Sequence, residues 1–412
     1  MERNLERQAA RCVTSIGITC FLAYASCYLG KNLLSAMMPE LLESGVFSDE
    51  ALGRMPSIFM LTYGAGQLIN GWLGNRVRGR YMLSLGLLFP GVLLCLFPSC
   101  TSVLWGTVLW GVCGFFSSML WGPIARMIGE NTPPAKGQLW ITLMTVASTS
   151  GALATQALAV LGGVTDGYRI VFYVCGGFLC AVAIAVFFVI LHLEKTGAVK
   201  VERIVPAAEQ HGGVRTHFLT AGFVCMAVVT MLNGVMRNAV SFWIPTFLVQ
   251  YLDYSKELSA GLVMLLPLLN VAGTMLSLWI FQRLGCDEKK MCAALFLGVI
   301  PLFALLFVCR GAFSFLSVAA LFLASALMMG VCTLVFSVYV LQFHDTGKLS
   351  GISGFFDFSS YVSASGASLL FTELMIGNNW SLLITSWIAI GVLGALLSAF
   401  AYVFEKREEK RL

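Results

Sequence analysis

The sequence predicts an all-α membrane protein with twelve transmembrane helices arranged as two pseudo-symmetric bundles of six. Of its 412 residues, 58% are hydrophobic and 11% are charged, whereas an average soluble domain has about 25% charged residues. Apolar runs of about 20 residues, long enough to cross a bilayer as helices, recur twelve times between short polar breaks. A pattern that starts at Lys31 also returns at Arg237, half a chain length later.

The predicted spans set the domain organisation. They lie at about 13–40, 52–73, 81–98, 102–125, 137–162, 168–193, 218–249, 257–282, 290–309, 313–342, 350–376 and 380–404. We therefore predict an N-terminal six-helix bundle at 1–193, a cytoplasmic linker at 194–217 and a C-terminal six-helix bundle at 218–412.

Positive charge is distributed unevenly between the loops. Of the 26 Lys and Arg residues, 20 fall on one side, 4 on the other, and Lys31 and Arg237 within spans. Short loops rich in Lys and Arg stay in the cytoplasm, so we predict a multi-pass protein of the cell inner (cytoplasmic) membrane with both termini cytoplasmic. The asymmetry also explains the net charge of +5, and no nucleic-acid partner is expected.

Reactive and metal-ligating residues form no recognisable cluster in the sequence. The 13 cysteines lie almost entirely within spans without a CxxC pair, which is typical of small apolar packing residues. The four histidines are scattered, so we expect no metal site and no cofactor. No Ser–His–Asp or Cys–His arrangement and no nucleotide-binding loop is apparent, and we do not expect an enzyme.

The first span places Tyr24, Tyr28 and Lys31 at positions i, i+4 and i+7, so two phenols and an ammonium share one helical face. That face is a candidate cavity lining, and ordinary packing of the two tyrosines is the alternative. Pro39 should break or kink the span near its outer end, as Pro245 should in the second half.

The repeat gives each half one cation within the membrane. KNLLSAMMPELL from Lys31 matches RNAVSFWIPTFL from Arg237 at four pairs: Asn32/Asn238, Ser35/Ser241, Pro39/Pro245 and Leu42/Leu248. A cation at the centre of a bilayer costs roughly 2.5 to 3.5 kcal/mol even on the mildest scale, so it normally faces a polar cavity and has a partner. We expect both cations to line such a cavity.

Three further segments are candidates for function. GWLGNRVRGR at 71–80 combines glycines for close helix approach with a basic cytoplasmic turn, although a plain cytoplasmic anchor is the alternative. WGPIAR, from Trp121, breaks a helix beside an aromatic that could face a cavity. In GFFDFSSY, Asp357 and Tyr361 lie one turn apart. An acid within a span is a functional candidate, and a structural counter-ion for Arg237 or Lys31 is the alternative.

These segments resemble the major facilitator superfamily of transporters and, within it, most closely the organophosphate/phosphate antiporters, such as the glycerol-3-phosphate and hexose-phosphate transporters. The resemblance covers nearly the whole chain. It is carried by YLGKNLLSAMMP, YGAGQLINGWLGNR, WGPIAR, RNAVSFWIPTFL and GFFDFSSY. Its strongest element is Arg237 followed eight residues later by Pro245, with a tryptophan before the proline.

The resemblance implies that a cation on span one and another on span seven bind the substrate phosphate from the two halves. Arg237 fills the second position and Lys31 the first, where lysine keeps the charge but loses the planar fork of arginine. The other implied substrate-binding residues are Tyr24, Tyr28, Tyr63, Gln67, Trp121, Asn238 and Tyr361. The implied gating loop comprises Gly71, Asn75, Arg76, Gly79 and Arg80.

Departures from the family pattern make the cavity less basic. Gln67 replaces a lysine of span two, span five has no histidine, and Asp357 stands where glycerol-phosphate members have a small residue. Asn75 replaces the aspartate of the loop signature G-x-x-x-D-R-x-G-R, which weakens the charge interaction of that loop. The departures leave room for a monoanionic or zwitterionic solute, or for proton coupling through Asp357.

The resemblance therefore implies a secondary active transporter of a small organic anion, including a phosphorylated solute, that works by alternating access in the lipid bilayer. Inorganic phosphate or a proton is the expected counter- or co-substrate, and we expect a monomer. One alternative is a proton-coupled organic anion symporter or exporter that uses Asp357. Another, of a different class, is a membrane sensor of external sugar phosphate.

Overall fold

The computed structural model describes residues 2–47, 49–164, 167–197, 199, 221–263, 265–309, 313–376 and 379–409. All regular structure in these residues is helical, and none of them lies in a strand. The prediction of an all-α fold is therefore confirmed. Most of the predicted linker at 194–217 lies outside the described residues.

The chain divides into two compact units. The first comprises Met1–Val214 and Val340–Phe358, and the second comprises Arg215–Tyr339 and Ser359–Leu412. Residues 340–358 thus belong to the first unit, although they lie within the predicted C-terminal bundle.

The described residues up to Lys195 form nine α-helices, all in the first unit, and a short 3₁₀-helix at Phe97–Ser99. The α-helices are α1 (Glu2–Lys31), α2 (Leu33–Ala36), α3 (Met38–Glu43), α4 (Asp49–Leu73), α5 (Gly79–Leu96), α6 (Val103–Ser117), α7 (Trp121–Asn131), α8 (Pro134–Val164) and α9 (Tyr168–Lys195). Helix α5 packs against α9, α4 against α6, and α1 against α8. Small residues permit close approach of membrane helices. A Cβ added to Gly91 of α5 would lie 2.9 Å from the carbonyl oxygen of Gly176 in α9.

The described residues after the predicted linker form seven α-helices. They are α10 (Ala221–Gln250), α11 (Lys256–Val263), α12 (Leu266–Leu284), α13 (Glu288–Val308), α14 (Ser314–Leu334), α15 (Leu349–Ile376) and α16 (Trp380–Glu409). After α14 the chain continues as a π-helix at Val335–Tyr339 and a 3₁₀-helix at Val340–Thr346. Within the second unit, α13 packs against α16 and α14, and α12 also packs against α14.

The helices are long enough for the predicted spans. Nine segments of the described chain have both the length and the apolar composition to cross a bilayer. Helices α4, α8 and α15 occupy the places of predicted spans two, five and eleven and contain 25, 31 and 28 residues. Each exceeds the roughly 20 residues that a crossing requires, and each carries polar residues along its length.

The first span is interrupted at Asn32 and again at Met37, two residues before Pro39. Asn32 Nδ2 donates to the carbonyl oxygen of Tyr28 at 2.7 Å, at the point where α1 ends. An asparagine side chain that bonds to nearby backbone competes with regular helix. The predicted break near Pro39 occurs at Met37, and Pro39 itself is the second residue of α3. At Pro245 the helix is not broken, since α10 continues to Gln250, and a kink there stays a prediction.

Candidate functional site

Two aromatic rings lie close to the ammonium group of Lys31 in the first unit. Its Nζ lies 3.9 Å from the ring centroid of Tyr63 in α4 and 5.0 Å from that of Tyr28 in α1. Tyr63 is only 2% exposed, so its ring is a fixed wall. A cation over an aromatic face is stabilised by about 0.5 to 2 kcal/mol, more when desolvated. The two ring contacts therefore help to hold the ammonium in a defined position.

The aromatic wall continues from α1 to α7. The ring centroid of Tyr24 lies 5.0 Å from that of Tyr28 and 5.5 Å from that of Trp121. Trp121 is the first residue of α7, directly after the interruption that separates this helix from α6. The predicted helix break at WGPIAR thus occurs, just ahead of the tryptophan. Four of the predicted cavity aromatics come together with Lys31 in the first unit.

Gln67 supplies a polar group one turn along the same face of α4 as Tyr63. Its side chain is 0% exposed, and neither amide atom has a hydrogen-bond partner among the described residues. Leaving a buried polar group unsatisfied costs roughly 1 to 3 kcal/mol. A buried amide of this kind is typical of a site that a ligand or an ordered water completes.

The second predicted cation, Arg237, lies on α10 in the second unit. Its Nη1 donates to Cys332 Sγ in α14 at 3.7 Å. The next residue, Asn238, donates from Nδ2 to the carbonyl oxygen of Gly234 at 2.8 Å. The bond of Asn32 to Tyr28 in the first unit has the same i to i−4 geometry. The sequence repeat is therefore also a repeat of local structure around each cation.

The two polar residues predicted on span eleven both lie on α15 and are both half-buried. Asp357 belongs to the first unit, which contains Lys31, whereas Tyr361 belongs to the second unit. Their proposed roles as a coupling acid and a substrate-binding phenol stay predictions.

Glycines bring the start of α15 against α4 within the first unit. A Cβ on Gly71 would lie 2.9 Å from the Cα of Gly354, and a Cβ on Gly74 would strike the hydroxyl oxygen of Ser350. A Cβ on Gly354 would in turn strike the carbonyl oxygen of Gln67. Only glycine permits these backbones to approach so closely.

Asn75 completes this contact with a hydrogen bond. Its Oδ1 accepts the backbone N–H of Gly351 at 3.1 Å. Gly351 is the third residue of α15, and the first N–H groups of a helix have no partner within it. A neutral carbonyl oxygen therefore caps α15 at the position where the family signature has a carboxylate. Asparagine in place of the signature aspartate removes the negative charge, but its side-chain oxygen still accepts a hydrogen bond from Gly351.

The other residues of the predicted gating loop stabilise the ends of α4 and α5. The Arg76 guanidinium lies 3.4 Å from the ring centroid of Trp72, and Gly79 is the first residue of α5. Arg80 forms a 2.5 Å ion pair with Glu194 at the end of α9. Arg76 therefore packs against the end of α4, and Arg80 links the start of α5 to the end of α9.

Arg126 is a buried residue that the sequence did not single out, since it was included among the 20 cations assigned to loops on one side of the membrane. Arg126 is 5% exposed. Its Nη1 donates to the carbonyl oxygen of Gly74 at 2.9 Å, and its Nε pairs with Glu130 at 2.8 Å. The i, i+4 spacing of Arg126 and Glu130 was the available signal. No group of three His, Cys, Asp or Glu side chains that could hold a metal occurs in the described part of the chain.

Comparisons with known proteins identify the family to which the chain belongs. The Major Facilitator Superfamily matches residues 20–368. Membrane sensor protein UhpC of Escherichia coli (strain K12) is 25% identical, across 95% of this chain and 92% of that protein. A probable hexose phosphate transport protein of Chlamydia pneumoniae is 23% identical, across 69% and 68%. The glycerol-3-phosphate transporter of Bacillus subtilis (strain 168) is 22% identical, across 96% and 93%.

A solved structure supports the same fold. The human organic anion transporter MFSD10 (TETRAN) superposes with a TM-score of 0.74 at 13% identity, across 94% of this chain and 99% of that one. The resemblance to the organophosphate/phosphate antiporters is thereby confirmed. The chain belongs to the Major Facilitator Superfamily, and it is a multi-pass membrane transporter protein rather than an enzyme.

Proposed function

We propose that the protein is a secondary active transporter that moves a small organic anion, including phosphorylated solutes, across the cytoplasmic membrane by alternating access. The single observation that carries the proposal is the ammonium of Lys31, 3.9 Å from the buried ring of Tyr63 at the end of a segment able to cross a membrane. An ionisable side chain in such a segment is a candidate for function. The names of the hexose-phosphate and glycerol-3-phosphate relatives support a phosphorylated solute.

Each residue of the candidate site has a defined task in this proposal. Lys31 contributes a point charge with three donors, and Arg237 contributes a fork that suits phosphate or carboxylate. The unsatisfied amide of Gln67 contributes a donor or an acceptor to the solute. Six further side chains line the path and exclude poorly fitting solutes. They are the phenols of Tyr24, Tyr28, Tyr63 and Tyr361, the indole of Trp121 and the amide of Asn238.

We further propose that residues 1–193 and 218–412 are the two bundles that rock about the solute, as in other transporters built from repeats. The membrane is the cytoplasmic membrane, with both termini on the inner side. The transporter acts as a monomer, with inorganic phosphate or a proton as counter- or co-substrate. The gating loop at 71–80 closes the inner side when Asn75 caps α15.

A second candidate is a proton-coupled organic anion symporter or exporter. It is favoured by Asp357, a half-buried acid on α15 in the unit that contains Lys31. Uptake driven by a pH gradient without phosphate inside the vesicles, and lost in Asp357→Asn, supports this candidate. Uptake that instead requires internal phosphate and ignores a pH gradient supports the antiporter.

A third candidate is a membrane sensor, favoured by the 25% identity to a membrane sensor protein across 95% of this chain. Purified protein in vesicles distinguishes sensor from carrier, because a sensor binds its ligand without net movement. A thermal-shift screen with sugar phosphates, inorganic phosphate and simple carboxylates identifies ligands first, since a ligand that binds the folded state raises the melting temperature. Accumulation of those ligands in vesicles then supports the carrier, and binding without accumulation supports the sensor.

A further inference from the structure

An apolar groove lies between α5 and α9 of the first unit, and its volume is about 190 Å³. Pockets that enclose a whole small-molecule ligand have roughly 300 to 1,000 Å³. Six of the side chains that line the groove, three from each helix, are Tyr81, Ser84, Leu88, Ile184, Phe187 and Phe188. Both helices have the length and composition to cross a bilayer, and Ile184 and Phe188 are 55% and 61% exposed. The groove therefore fits one hydrocarbon chain of a larger molecule in the membrane.

The guanidinium of Arg80 lies at one end of this groove. It is 4.7 Å from the ring centroid of Tyr81 and 5.9 Å from that of Phe187, two of the lining residues. Its Nη1 pairs with Glu194, and its Nη2 donates to the Tyr81 hydroxyl at 3.0 Å. Its Nε is buried and has no hydrogen-bond partner among the described residues. Within the described chain, the Nε–Nη2 edge of the guanidinium thus bonds to one neutral phenol, although this edge suits two oxygens of a phosphate.

A second polar group without a hydrogen bond lies one turn further along α5. Ser84 lines the groove and is 8% exposed, and its hydroxyl oxygen has no partner among the residues that the structure describes. A helix rises about 1.5 Å per residue, so Ser84 lies about 6 Å beyond Arg80 along the axis, and Leu88 about 6 Å beyond Ser84. From the start of α5 inward, the groove thus presents a cation, then a hydroxyl, then an apolar wall.

We infer that this groove binds a glycerophospholipid. The lipid phosphate replaces the Tyr81 hydroxyl on the Nε–Nη2 edge of Arg80, an ester carbonyl accepts from Ser84, and one acyl chain lies against Leu88. A phospholipid has these groups in the same order, from the membrane surface inward. Tyr81 is 41% exposed, so its side chain has room to turn away. A fatty acid satisfies Arg80 but leaves Ser84 without a partner, because its carboxylate is its only polar group.

This lipid site is separate from the candidate solute site of the first unit. The lipid site is built from α5 and α9, whereas Lys31 and its neighbouring aromatic rings lie on α1, α4 and α7. The inference therefore does not depend on which solute the protein moves.

Native mass spectrometry of the purified protein in detergent tests the inference by titration of single lipid adducts. The probe is dioleoyl phosphatidylethanolamine, which has a phosphate but no net charge, so general attraction to basic surfaces contributes little. Dioleoylglycerol has the same chains without the phosphate, and oleate has one chain with a carboxylate. We expect the phospholipid to bind at least about tenfold more tightly than either, because a hydrogen bond to a charged group contributes about this factor or more.

Three variants locate the adduct. Arg80→Lys keeps the charge beside Glu194 but loses the two-donor edge, and Ser84→Leu fills the groove. Each should weaken phospholipid binding at least about tenfold. Tyr81→Phe should bind more tightly, because the phosphate no longer competes with the phenol. Arg80→Lys and Tyr81→Phe add no bulk to α5, so they test the site even where Ser84→Leu lowers the melting temperature.

The matched control is Arg283→Lys, the same exchange at an exposed arginine that also lies beside an aromatic ring, 5.3 Å from the centroid of Trp279. It should bind the phospholipid with unchanged affinity. Equal binding of dioleoylglycerol or oleate overturns the inference, and so does unchanged phospholipid binding in both Arg80→Lys and Ser84→Leu. A dimer of the unmodified protein that Ser84→Leu dissociates would assign the groove to a second copy of the chain and would also overturn it.

Discussion

Replacement of Lys31 by methionine removes the ammonium and keeps a side chain of similar length against the aromatic wall. The Nζ of Lys31 lies 3.9 Å from the Tyr63 ring centroid and 5.0 Å from that of Tyr28. These cation–ring attractions exist with and without a solute, so they largely cancel from the binding free energy. What the variant loses on binding is the charge-assisted hydrogen bond to the anion, worth about 1.5 to 3 kcal/mol net.

A loss of about 1.5 to 3 kcal/mol lowers the affinity for the anion roughly 10- to 150-fold. The free energy of unfolding should change little, because the lost cation–ring attraction of about 0.5 to 2 kcal/mol is offset by removal of a charge from the membrane. Titration of a stabilising ligand against purified protein measures the affinity. The thermal-unfolding midpoint of the same preparation measures the stability.

The matched control is Lys136→Met, which changes the same atoms at an exposed position near the start of α8. It should bind the anion with unchanged affinity. Wild-type affinity in Lys31→Met would refute the reasoning, because it would mean that the anion does not contact the ammonium. A large fall in stability with unchanged affinity would instead assign Lys31 a structural role.

Three further predictions concern the first unit. Gly354→Leu forces a side chain into α4 and should destabilise the protein by about 1 to 3 kcal/mol in thermal unfolding, whereas Gly366→Leu, where a Cβ meets no atom within 4 Å, should not. Asn75→Ala removes the acceptor for the Gly351 N–H and should cost about 0.5 to 2 kcal/mol of unfolding free energy, and Asn75→Asp should restore it. Lys31→Arg should keep or raise the affinity for a phosphorylated solute in a binding titration, and a loss of binding would argue for a solute without phosphate.

Much of the fold follows from short-range patterns in the sequence. The apolar runs predict where the helices lie, because a bilayer demands about 20 apolar residues per crossing. The helical period predicts that Tyr24, Tyr28 and Lys31 share a face. In the structure the rings of Tyr24 and Tyr28 are in contact, and the Lys31 ammonium lies 5.0 Å from the Tyr28 ring centroid. The repeat predicts that Asn32 and Asn238 are equivalent, and both donate to the carbonyl four residues earlier.

The remaining features depend on contacts between residues distant in the chain, which periodicity does not encode. The bond from Asn75 to Gly351 spans 276 positions, and that from Arg126 to Gly74 spans 52. The π-helix at Val335–Tyr339 contains no proline or glycine from which it could have been predicted. The two prolines differ in their effect: the helix breaks at Met37, and Pro39 follows in the first turn of α3, where its missing N–H costs nothing, whereas α10 continues through Pro245.

The location of Tyr63 illustrates what a resemblance adds to a pattern. Nothing in the local sequence of α4 distinguishes this tyrosine from a packing residue, and at 2% exposure it is one. Its ring nevertheless lies beside the Lys31 ammonium. The resemblance to the family motif identified Tyr63 as a cavity residue. The structure supports that choice with the 3.9 Å distance from the Lys31 ammonium in α1 to the Tyr63 ring in α4.

Vesicle uptake with Arg237→Ala tests the account most directly, because transport of an anion by paired cations is the claim on which the proposed function depends. The unmodified protein should accumulate a labelled ester that stabilises it in the thermal-shift screen. Arg237→Ala should fall to the level of protein-free vesicles, while Arg283→Ala, at an exposed position near the end of α12, should transport normally. Uptake by Arg237→Ala at the rate of the unmodified protein would contradict the account.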